Sequence, residues 1–272
     1  RKMLEGGISP DVITFVCVLK ACGNIGSIQV GQEIHSKISR MGLIEKDIVL
    51  GTSLVDMYAK CGVLKSALEV FEDLRVRNVV TWNALIAGYT QYGAGEEALK
   101  CFNKMQDEGI SPDVGTFLCT LKACQIIGKV EVGEEIYGQI RKHGLLEKDI
   151  AVGTALVDMY AKLGALEKAQ EVFHELPLRD VSSWTALISG YVEHGFDDLA
   201  LNCFKLMRNE GLSPDAVTFT CVLKACGNKG SLEIGEEIHV EIKKLRLLDK
   251  NLVLGNALVD MYAKCGTMEQ AR

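Results

Sequence analysis

Aromatic residues and prolines are scarce in this chain of 272 residues. Aromatic residues make up 6% of the sequence and hydrophobic residues 48%, so we expect a core built from Leu, Val, Ile, Ala and Met. Three of the 4 prolines, Pro10, Pro112 and Pro214, recur at one point of a repeating pattern, where they mark boundaries rather than helix kinks. No run of about 18 apolar residues occurs, so the sequence predicts no transmembrane helix and no membrane partner.

Motifs for catalysis and metal binding are also missing. The sequence has no glycine-rich phosphate loop, no Gly-x-Ser-x-Gly turn and no His-x-Glu followed by Cys-x-x-Cys. Its 10 cysteines lack the spacing of zinc sites, and the 5 histidines do not cluster with them. We therefore predict a binding scaffold with no catalytic residue, no metal and no cofactor. We interpret the cysteines as small buried residues on the first helix of a repeated unit, in a reducing compartment.

What the sequence does have is a period of 102 residues over its whole length. Ser9-Pro10-Asp11 returns at 111–113 and 213–215, and the segment 54–60 (LVDMYAK) returns unchanged at 156–162 and 258–264. Self-similarity at a fixed period is typical of solenoids, in which stacked units share one continuous core. We therefore expect a single array over 1–272 whose function is distributed over its repeats.

Each block of 102 residues contains three hairpins of 36, 31 and 35 residues. After a partial repeat at 1–11, we number them in chain order. Repeat 1 is 12–47, repeat 2 is 48–78, repeat 3 is 79–113, repeat 4 is 114–149, repeat 5 is 150–180, repeat 6 is 181–215, repeat 7 is 216–251, and the partial repeat 8 is 252–272. Repeats 1, 4 and 7 are the long repeats, and repeats 2, 5 and 8 are the short ones.

Each repeat has the pattern of two helices. In repeat 3, apolar residues over 82–89 recur at the spacing of one helix face, and a second amphipathic stretch over 96–108 ends at Gly109, shortly before Pro112. The alternation typical of strands is nowhere sustained. We therefore predict an all-α fold of stacked helix-turn-helix repeats.

Three segments give these hairpins a close resemblance to a known family: VVTWNALIAGY over 79–89, LKACG over 19–23 and LVDMYAKCG over 54–62. With the alternating lengths, they resemble pentatricopeptide repeats of the PLS subclass across all 272 residues. The resemblance implies a right-handed superhelical α-solenoid that binds single-stranded RNA. It further implies the recognition array of a C-to-U RNA-editing factor in plant mitochondria or chloroplasts.

The resemblance implies that each repeat reads one base with its fifth and its last residue. Asp at the last place only accepts hydrogen bonds and suits the ring N–H of guanine or uracil, whereas Asn also donates and suits adenine. At the fifth place, the family uses Thr or Ser for purines and Asn for pyrimidines. The pairs that follow are Thr52 with Asn78 for adenine, Asn83 with Asp113 for uracil, Thr154 with Asp180 for guanine, and Thr185 with Asp215 for guanine.

The long repeats depart from this pattern. In repeats 1 and 4 the fifth residue is apolar, which predicts weak discrimination: Val16 with Asp47, and Leu118 with Asp149. Repeat 7 has Thr220 with Asn251, which matches an adenine pair, and Asn256 of repeat 8 suggests a pyrimidine. In the family's parallel sense, the predicted target is 5′-N-A-U-N-G-G-(A/N)-Y-3′.

Two further sets of residues acquire a role from the resemblance. The thirteenth residues of the short repeats are expected to contact phosphate as a basic stripe, with a solvated face as the alternative: Lys60, Lys162 and Lys264. Second residues are expected to wedge between bases, with packing as the alternative: Val49, Val80, Ala151 and Val217. Gly115 and Ser182 occupy the same place and are poor wedges.

The overall charge is the main observation against RNA binding. A net charge of −6 and a pI near 5.5 lack the basic character of most nucleic-acid-binding proteins. An acidic outer face with a basic groove would reconcile the two and predicts modest, salt-sensitive affinity. The alternative is a tetratricopeptide-like scaffold that binds peptides or proteins, although that family keeps a uniform repeat of about 34 residues.

Protein partners are a third possibility, compatible with the first. The resemblance implies that small organellar editing-factor proteins can dock on the long repeats, and the RNA affinity of the array would then depend on such a partner. The chain starts and stops inside repeats, so exposed apolar ends predict end-to-end self-association. The first 30 residues are already repeat and contain no transit peptide. A mitochondrial or chloroplast location therefore follows from the resemblance alone, and a zinc deaminase domain is expected only outside this segment.

Overall fold

The computed structural model describes residues 10–44 and 47–267. In this part of the chain it contains 16 α-helices, one short 3-10 helix and no strand. None of these helices is long and apolar enough to cross a membrane. The chain divides into two compact halves, Arg1–Gly128 and Lys129–Arg272.

The N-terminal half is a stack of hairpins. Its described helices are α1 (Val12–Ile25), α2 (Ile28–Arg40), α3 (Ile48–Lys60), α4 (Leu64–Asp73), α5 (Val79–Gln91), α6 (Gly95–Asp107) and α7 (Val114–Ile127). The pairs α1/α2, α3/α4 and α5/α6 are the hairpins of repeats 1 to 3. Each first helix packs against the first helix of the next repeat, α1 on α3, α3 on α5 and α5 on α7, so the first helices form one layer.

The C-terminal half repeats this arrangement. Its described helices are α8 (Val130–Lys142), α9 (Leu145–Lys148), α10 (Ile150–Lys162), α11 (Leu166–Glu175), α12 (Val181–Glu193), α13 (Asp197–Asn209), α14 (Ala216–Lys229), α15 (Leu232–Lys244), the 3-10 helix Leu248–Lys250 and α16 (Leu252–Lys264). The first helices again form a layer, in which α10 packs on α12, α12 on α14 and α14 on α16.

The predicted all-α fold of stacked hairpins is confirmed. In repeat 3 the second helix is Gly95–Asp107, one residue earlier than predicted at both ends. The partial repeat 1–11 lies outside the described residues except for its last two. The border between the halves falls inside repeat 4, and the single array over 1–272 stays a prediction.

An Asp or Asn at the end of one repeat caps the first helix of the next. Its side-chain oxygen accepts a hydrogen bond from a first-turn N–H, as between Asp215 and the N–H of Thr218 at 2.8 Å. The eight caps are Asp11, Asp47, Asn78, Asp113, Asp149, Asp180, Asp215 and Asn251. The described second helices have no side-chain cap, so they depend on packing.

The few aromatic residues lie where consecutive repeats meet. The ring centroids of Phe71 on α4 and Trp82 on α5 are 4.5 Å apart, and those of Phe173 and Trp184 are 4.6 Å apart, both edge to face. Such pairs add to the stabilisation that burial alone provides. Trp82 and Phe71 are among the largest fully buried side chains, so the aliphatic core that the composition predicts is completed by aromatic contacts between repeats.

An arginine packs over the phenylalanine ring of each of these aromatic pairs. The Arg77 guanidinium lies 4.8 Å from the centroid of Phe71, donates to the Phe71 carbonyl at 3.1 Å and pairs with Glu108 at 3.1 Å. In the C-terminal half, Arg179 makes the equivalent contacts and pairs with Glu210 at 3.5 Å. These arginines therefore connect the end of a short repeat to the residue that ends the second helix of the following repeat.

The prediction of buried cysteines on first helices is wrong for most of them. Three are buried, Cys17 is exposed and the other six are half-buried, and none is in a disulfide. Two of the half-buried ones, Cys101 and Cys203, lie on the second helices α6 and α13. Burial raises the pKa of Cys124 and Cys226 to about 12, so both remain neutral thiols at physiological pH.

The close contact between α10 and α12 provides a test of the packing. A Cβ at Gly190 would lie 2.4 Å from the Cβ of Ala161 and 3.1 Å from its Cα. We predict that Gly190→Ala lowers the free energy of unfolding by about 1–3 kcal/mol, measured by urea denaturation. Gly138→Ala is the matched control, because nothing lies within 4 Å of its Cβ and Ala favours the helix. Equal losses in both variants would contradict the close approach.

Candidate nucleic-acid interface

The fifth and last residues of repeat 3 are in direct contact. Asn83 lies near the start of α5, and Asp113 caps α7. Asn83 Nδ2 donates to Asp113 Oδ1 at 2.9 Å, and Asp113 Oδ1 also accepts the N–H of Thr116 at 2.8 Å. The predicted reading pair and the helix cap therefore form one hydrogen-bonded group.

Asp113 remains ionised at neutral pH. Burial raises its pKa, but the backbone N–H of Thr116, the amide of Asn83 and the hydroxyl of Thr116 together lower it further, so the pKa lies below its usual value. An ionised carboxylate only accepts hydrogen bonds. Asp113 is therefore suited to a ring N–H and not to an acceptor nitrogen.

In repeats 2 and 6 the two reading residues are joined through a third side chain. Thr52 Oγ1 lies 2.8 Å from Thr81 Oγ1, which donates to Asn78 Oδ1 at 3.0 Å. In repeat 6, Thr185 Oγ1 lies 2.7 Å from Thr218 Oγ1, which donates to Asp215 Oδ1 at 2.8 Å. The structure thus brings both predicted pairs together, by the same connection.

Repeat 5 has the same residues without this connection. Asp180 Oδ1 accepts the N–H of Ser183 at 2.8 Å, and the Ser183 hydroxyl donates to the Asp180 carbonyl at 2.9 Å. Thr154 Oγ1 is buried and has no hydrogen-bond partner among the described residues. One open cavity of about 540 Å³ is lined by both pairs, Thr154 with Asp180 and Thr185 with Asp215. The two predicted guanine readers therefore share one recess.

The reading residues of repeat 7 are not joined by any hydrogen bond that the described part of the chain shows. Thr220 Oγ1 donates to the Ala216 carbonyl of its own helix at 2.7 Å, and Asn251 Oδ1 accepts the N–H of Leu254 at 3.0 Å. Asn256 is exposed on α16. The long repeat thus has the residue types of a reading pair without their connection.

Sequence reasoning missed the hydroxyl residue at the third place of the following repeat. Four such residues are fully buried: Thr81, Thr116, Ser183 and Thr218. The available signal was a Thr or Ser three residues after the capping Asp or Asn, which is typical of a helix N-terminus. Its contact with the fifth residue of the previous repeat depends on how the repeats stack, which the spacing alone does not give.

The predicted wedge residues lie on the surface of the first-helix layer. Val49, Val80 and Val217 are 57%, 57% and 59% exposed, and Ala151 is exposed as well. Apolar side chains at this exposure are not core residues, which rejects the packing alternative for these three valines. Ser182 is also exposed and offers no apolar contact.

The lysines predicted to contact phosphate are already ion-paired. Each pairs with an Asp one turn earlier on its own helix, at 2.7 to 2.8 Å: Lys60 with Asp56, Lys162 with Asp158, and Lys264 with Asp260. The stem of Lys60 also packs against Gly23, where a Cβ would be 3.3 Å from Lys60 Cδ. Each lysine of the expected basic stripe is therefore neutralised by an Asp of its own helix, and its contact with phosphate stays a prediction.

A second set of lysines carries unpaired charge. The ninth residues of the long repeats are exposed, and no ion pair of the described residues includes them: Lys20, Lys122 and Lys224. Each follows the fifth residue of its repeat by four positions and so lies on the same helix face. Lys224, with Thr220 and Ser189, lines a small cavity of about 290 Å³. We call the face of the first helices that carries the fifth residues the reading face. On it, the long repeats contribute exposed lysines that are in no described ion pair.

Family models match more than half of the chain. A model described as PPR repeat family matches residues 77–125 and 179–228. A model described as PPR repeat matches residues 52–79, 154–181 and 217–247.

Curated relatives from Arabidopsis thaliana match nearly the whole chain. A chloroplastic pentatricopeptide repeat-containing protein is 39% identical over 269 residues, which are 99% of this chain and 43% of the relative. Another chloroplastic one is 35% identical over 100% of this chain and 31% of its own length, and a mitochondrial one is 36% identical over 98% and 44%. The chain spans less than half the length of these relatives.

Solved structures show the same fold. The crystal structure of the pentatricopeptide repeat protein PPR10 in complex with an 18-nt psaJ RNA element matches with a TM-score of 0.70 and 19% identity, over 99% of this chain and 45% of that one. The crystal structure of the pentatricopeptide repeat protein PPR10 from maize matches with a TM-score of 0.54 and 20% identity, over 99% of this chain and 44% of that one.

The double role of the terminal Asp predicts how its variants behave. Asp113→Ala removes a helix cap and should lower the free energy of unfolding by about 1 kcal/mol, whereas Asp113→Asn keeps a capping oxygen and should lose less. Because the folded-state pKa of Asp113 is lowered, its charge-dependent stabilisation is present at neutral pH and is lost as the pH falls through that folded pKa. Thermal unfolding between pH 7 and pH 3 measures both effects. A difference between the native chain and Asp113→Ala that stayed constant with pH would contradict the ionised cap.

Proposed function

The chain belongs to the pentatricopeptide repeat family, and we propose that it binds single-stranded RNA, with one repeat facing one base. The observation that carries this proposal is the joined reading pair. In repeats 2, 3 and 6, the fifth and last side chains are held together at the start of the first helices. Thr185 and Asp215 line the same open recess as the exposed Val217. This recess offers a base both an edge to pair with and an apolar surface to stack on.

The proposed target is 5′-N-A-U-N-G-G-(A/N)-Y-3′, with repeat 1 at the 5′ end. Asn83 uses one amide hydrogen on Asp113 and keeps the other for a base carbonyl, while Asp113 accepts a ring N–H, as uracil requires. Asp180 and Asp215 offer acceptors to the N–H groups of two successive guanines. At Asn78 the amide oxygen is used by Thr81, which leaves the amide nitrogen to donate to adenine.

The free charge of the long repeats supports phosphate binding by a chain with a net charge of −6. Lys20, Lys122 and Lys224 can neutralise phosphates without breaking an ion pair. The short-repeat lysines Lys60, Lys162 and Lys264 have to exchange an Asp for a phosphate, so we assign them a smaller share. In this proposal the long repeats bind the phosphates of the RNA more than they recognise its bases.

The biological role follows from the relatives and is equally a proposal. Those relatives are named chloroplastic or mitochondrial, which supports an organellar location. We propose that the chain is the recognition array of a PLS-type C-to-U editing factor, that small editing-factor proteins dock on the long repeats, and that the array itself does no catalysis. The tetratricopeptide-like alternative is wrong as a family assignment. End-to-end self-association stays a prediction.

The two guanine pairs give the first test. We predict that a labelled RNA with the core A-U-N-G-G binds more tightly than the same RNA with both guanines changed to adenine, by roughly tenfold per base. Fluorescence anisotropy measures both affinities. The double variant Asp180→Asn and Asp215→Asn should reverse the preference while keeping both helix caps, and Asp113→Asn is the control that should not. Equal binding of both RNAs by the native chain would reject base reading by these pairs.

The two sets of lysines give a second test. Replacing Lys20, Lys122 and Lys224 by Gln should reduce the slope of log affinity against log salt by about 2, because three fewer phosphates are neutralised and each contributes about 0.7 to the slope for a single strand. Replacing Lys60, Lys162 and Lys264 by Gln is the matched control and should change the slope less. Titrations at several salt concentrations measure both. A larger effect of the short-repeat lysines would contradict this distribution of charge.

A further inference from the structure

A buried hydroxyl occupies the centre of each joined reading pair. Thr81, Thr116 and Thr218 are 0% exposed, so none of them is placed to touch a base. Each is the third residue of a first helix and contacts the fifth residue of the repeat before it. Thr81 and Thr218 also donate to the capping residue between the two repeats, and Thr116 accepts the main-chain N–H of its capping residue, Asp113. These buried threonines therefore affect base recognition only through the reading residues that they contact.

Counting protons shows what this contact does in repeat 6. A hydroxyl has a single proton to donate, and the carboxylate of Asp215 has none. Thr218 therefore donates to Asp215, and the 2.7 Å contact with Thr185 requires Thr185 to donate to Thr218. The Thr185 hydroxyl is then left with acceptor capacity only. The same count applies to Thr52, because Thr81 donates to the amide oxygen of Asn78.

Repeat 3 follows the same logic with an amide. Thr116 Oγ1 lies 2.6 Å from Asn83 Oδ1, to which it donates, and Asn83 Nδ2 donates to Asp113. The amide of Asn83 is thereby fixed in one orientation, with one hydrogen left for a base. In all three repeats, the buried threonine determines which hydrogen bonds the reading side chain still has available.

Repeat 5 lacks the contact that joins the reading pairs of repeats 2, 3 and 6. Ser183 replaces threonine, and its hydroxyl donates to the main-chain carbonyl of Asp180 instead. Thr154 Oγ1 is buried and finds no hydrogen-bond partner in the part of the chain that the structure describes. No described group fixes the direction of its proton, so repeat 5 lacks the defined donor and acceptor pattern that Thr218 imposes on Thr185.

We propose that the third residue of the following repeat is a positioning residue for base selection. Thr81, Thr116 and Thr218 fix the donor and acceptor pattern of the reading pair before them, whereas Ser183 leaves repeat 5 less selective. The corresponding residues after the long repeats are Leu50, Val152 and Leu254, which have no hydroxyl. This proposal rests on the proposed reading of RNA bases by these repeats.

The test compares RNAs that differ at a single nucleotide. For the native chain, the guanine-to-adenine affinity ratio should be higher at the sixth nucleotide, which faces repeat 6, than at the fifth. Thr218→Val keeps the side-chain shape and removes the hydroxyl, so the ratio at the sixth nucleotide should fall by about fivefold, the effect of one hydrogen bond. The ratio at the fifth nucleotide should stay as it was. Ser183→Thr should do the reverse and raise the ratio at the fifth nucleotide only.

The outcomes separate this proposal from simpler readings. If Thr218→Val lowers stability or total affinity but leaves the ratio at the sixth nucleotide unchanged, Thr218 is only part of a helix cap and the positioning role is rejected. Thr81→Val at the second nucleotide repeats the test in the N-terminal half, in case the first variant does not fold. A native chain without any base preference would overturn the proposed function and this inference together.

Discussion

The free N–H groups at the start of each first helix are the constraint on which the rest depends. A helix cannot satisfy these donors itself, and here an Asp or Asn from the end of the previous repeat accepts them. This requirement fixes the position of one polar side chain at every boundary between repeats. Because the first helices also pack on one another, the capping residue is joined to the fifth residue of its own repeat in repeats 2, 3 and 6. A condition of helix formation thereby places a polar group where it can pair with a second one.

The charge of the molecule is organised by the same periodicity. Short repeats carry an Asp and a Lys one turn apart on the reading face, and these neutralise each other. Long repeats carry an exposed Lys without a partner among the described ion pairs, and apolar or unjoined side chains at the reading place. The two classes of repeat thus differ in what they offer a ligand: hydrogen-bonding edges in one case and net positive charge in the other. An acidic total charge is compatible with such a face, because the sum does not describe its distribution.

The fold was largely predictable because each sequence signal for a helix or a boundary recurs in several repeats. Helix spacing, the recurring Pro10-Asp11 motif and glycines such as Gly109 gave boundaries correct to about one residue. Contacts between repeats were harder to predict from the sequence. The pairing of Lys60 with Asp56 was readable as a spacing of four, but the family role of Lys60 directed the interpretation to phosphate. The bridge made by Thr218 and the half-buried state of most cysteines depend on how neighbouring helices stack, and a linear pattern does not specify that.

The caps also bear on how such an array changes over evolutionary time. Asp and Asn are nearly equivalent helix caps, yet one only accepts hydrogen bonds and the other also donates. Under the proposed reading of bases, a single codon change between them leaves the hairpin folded while altering the base that it prefers. Duplicated arrays can accordingly diverge in target through a series of stable proteins, since selection on folding and selection on recognition do not oppose each other at this residue.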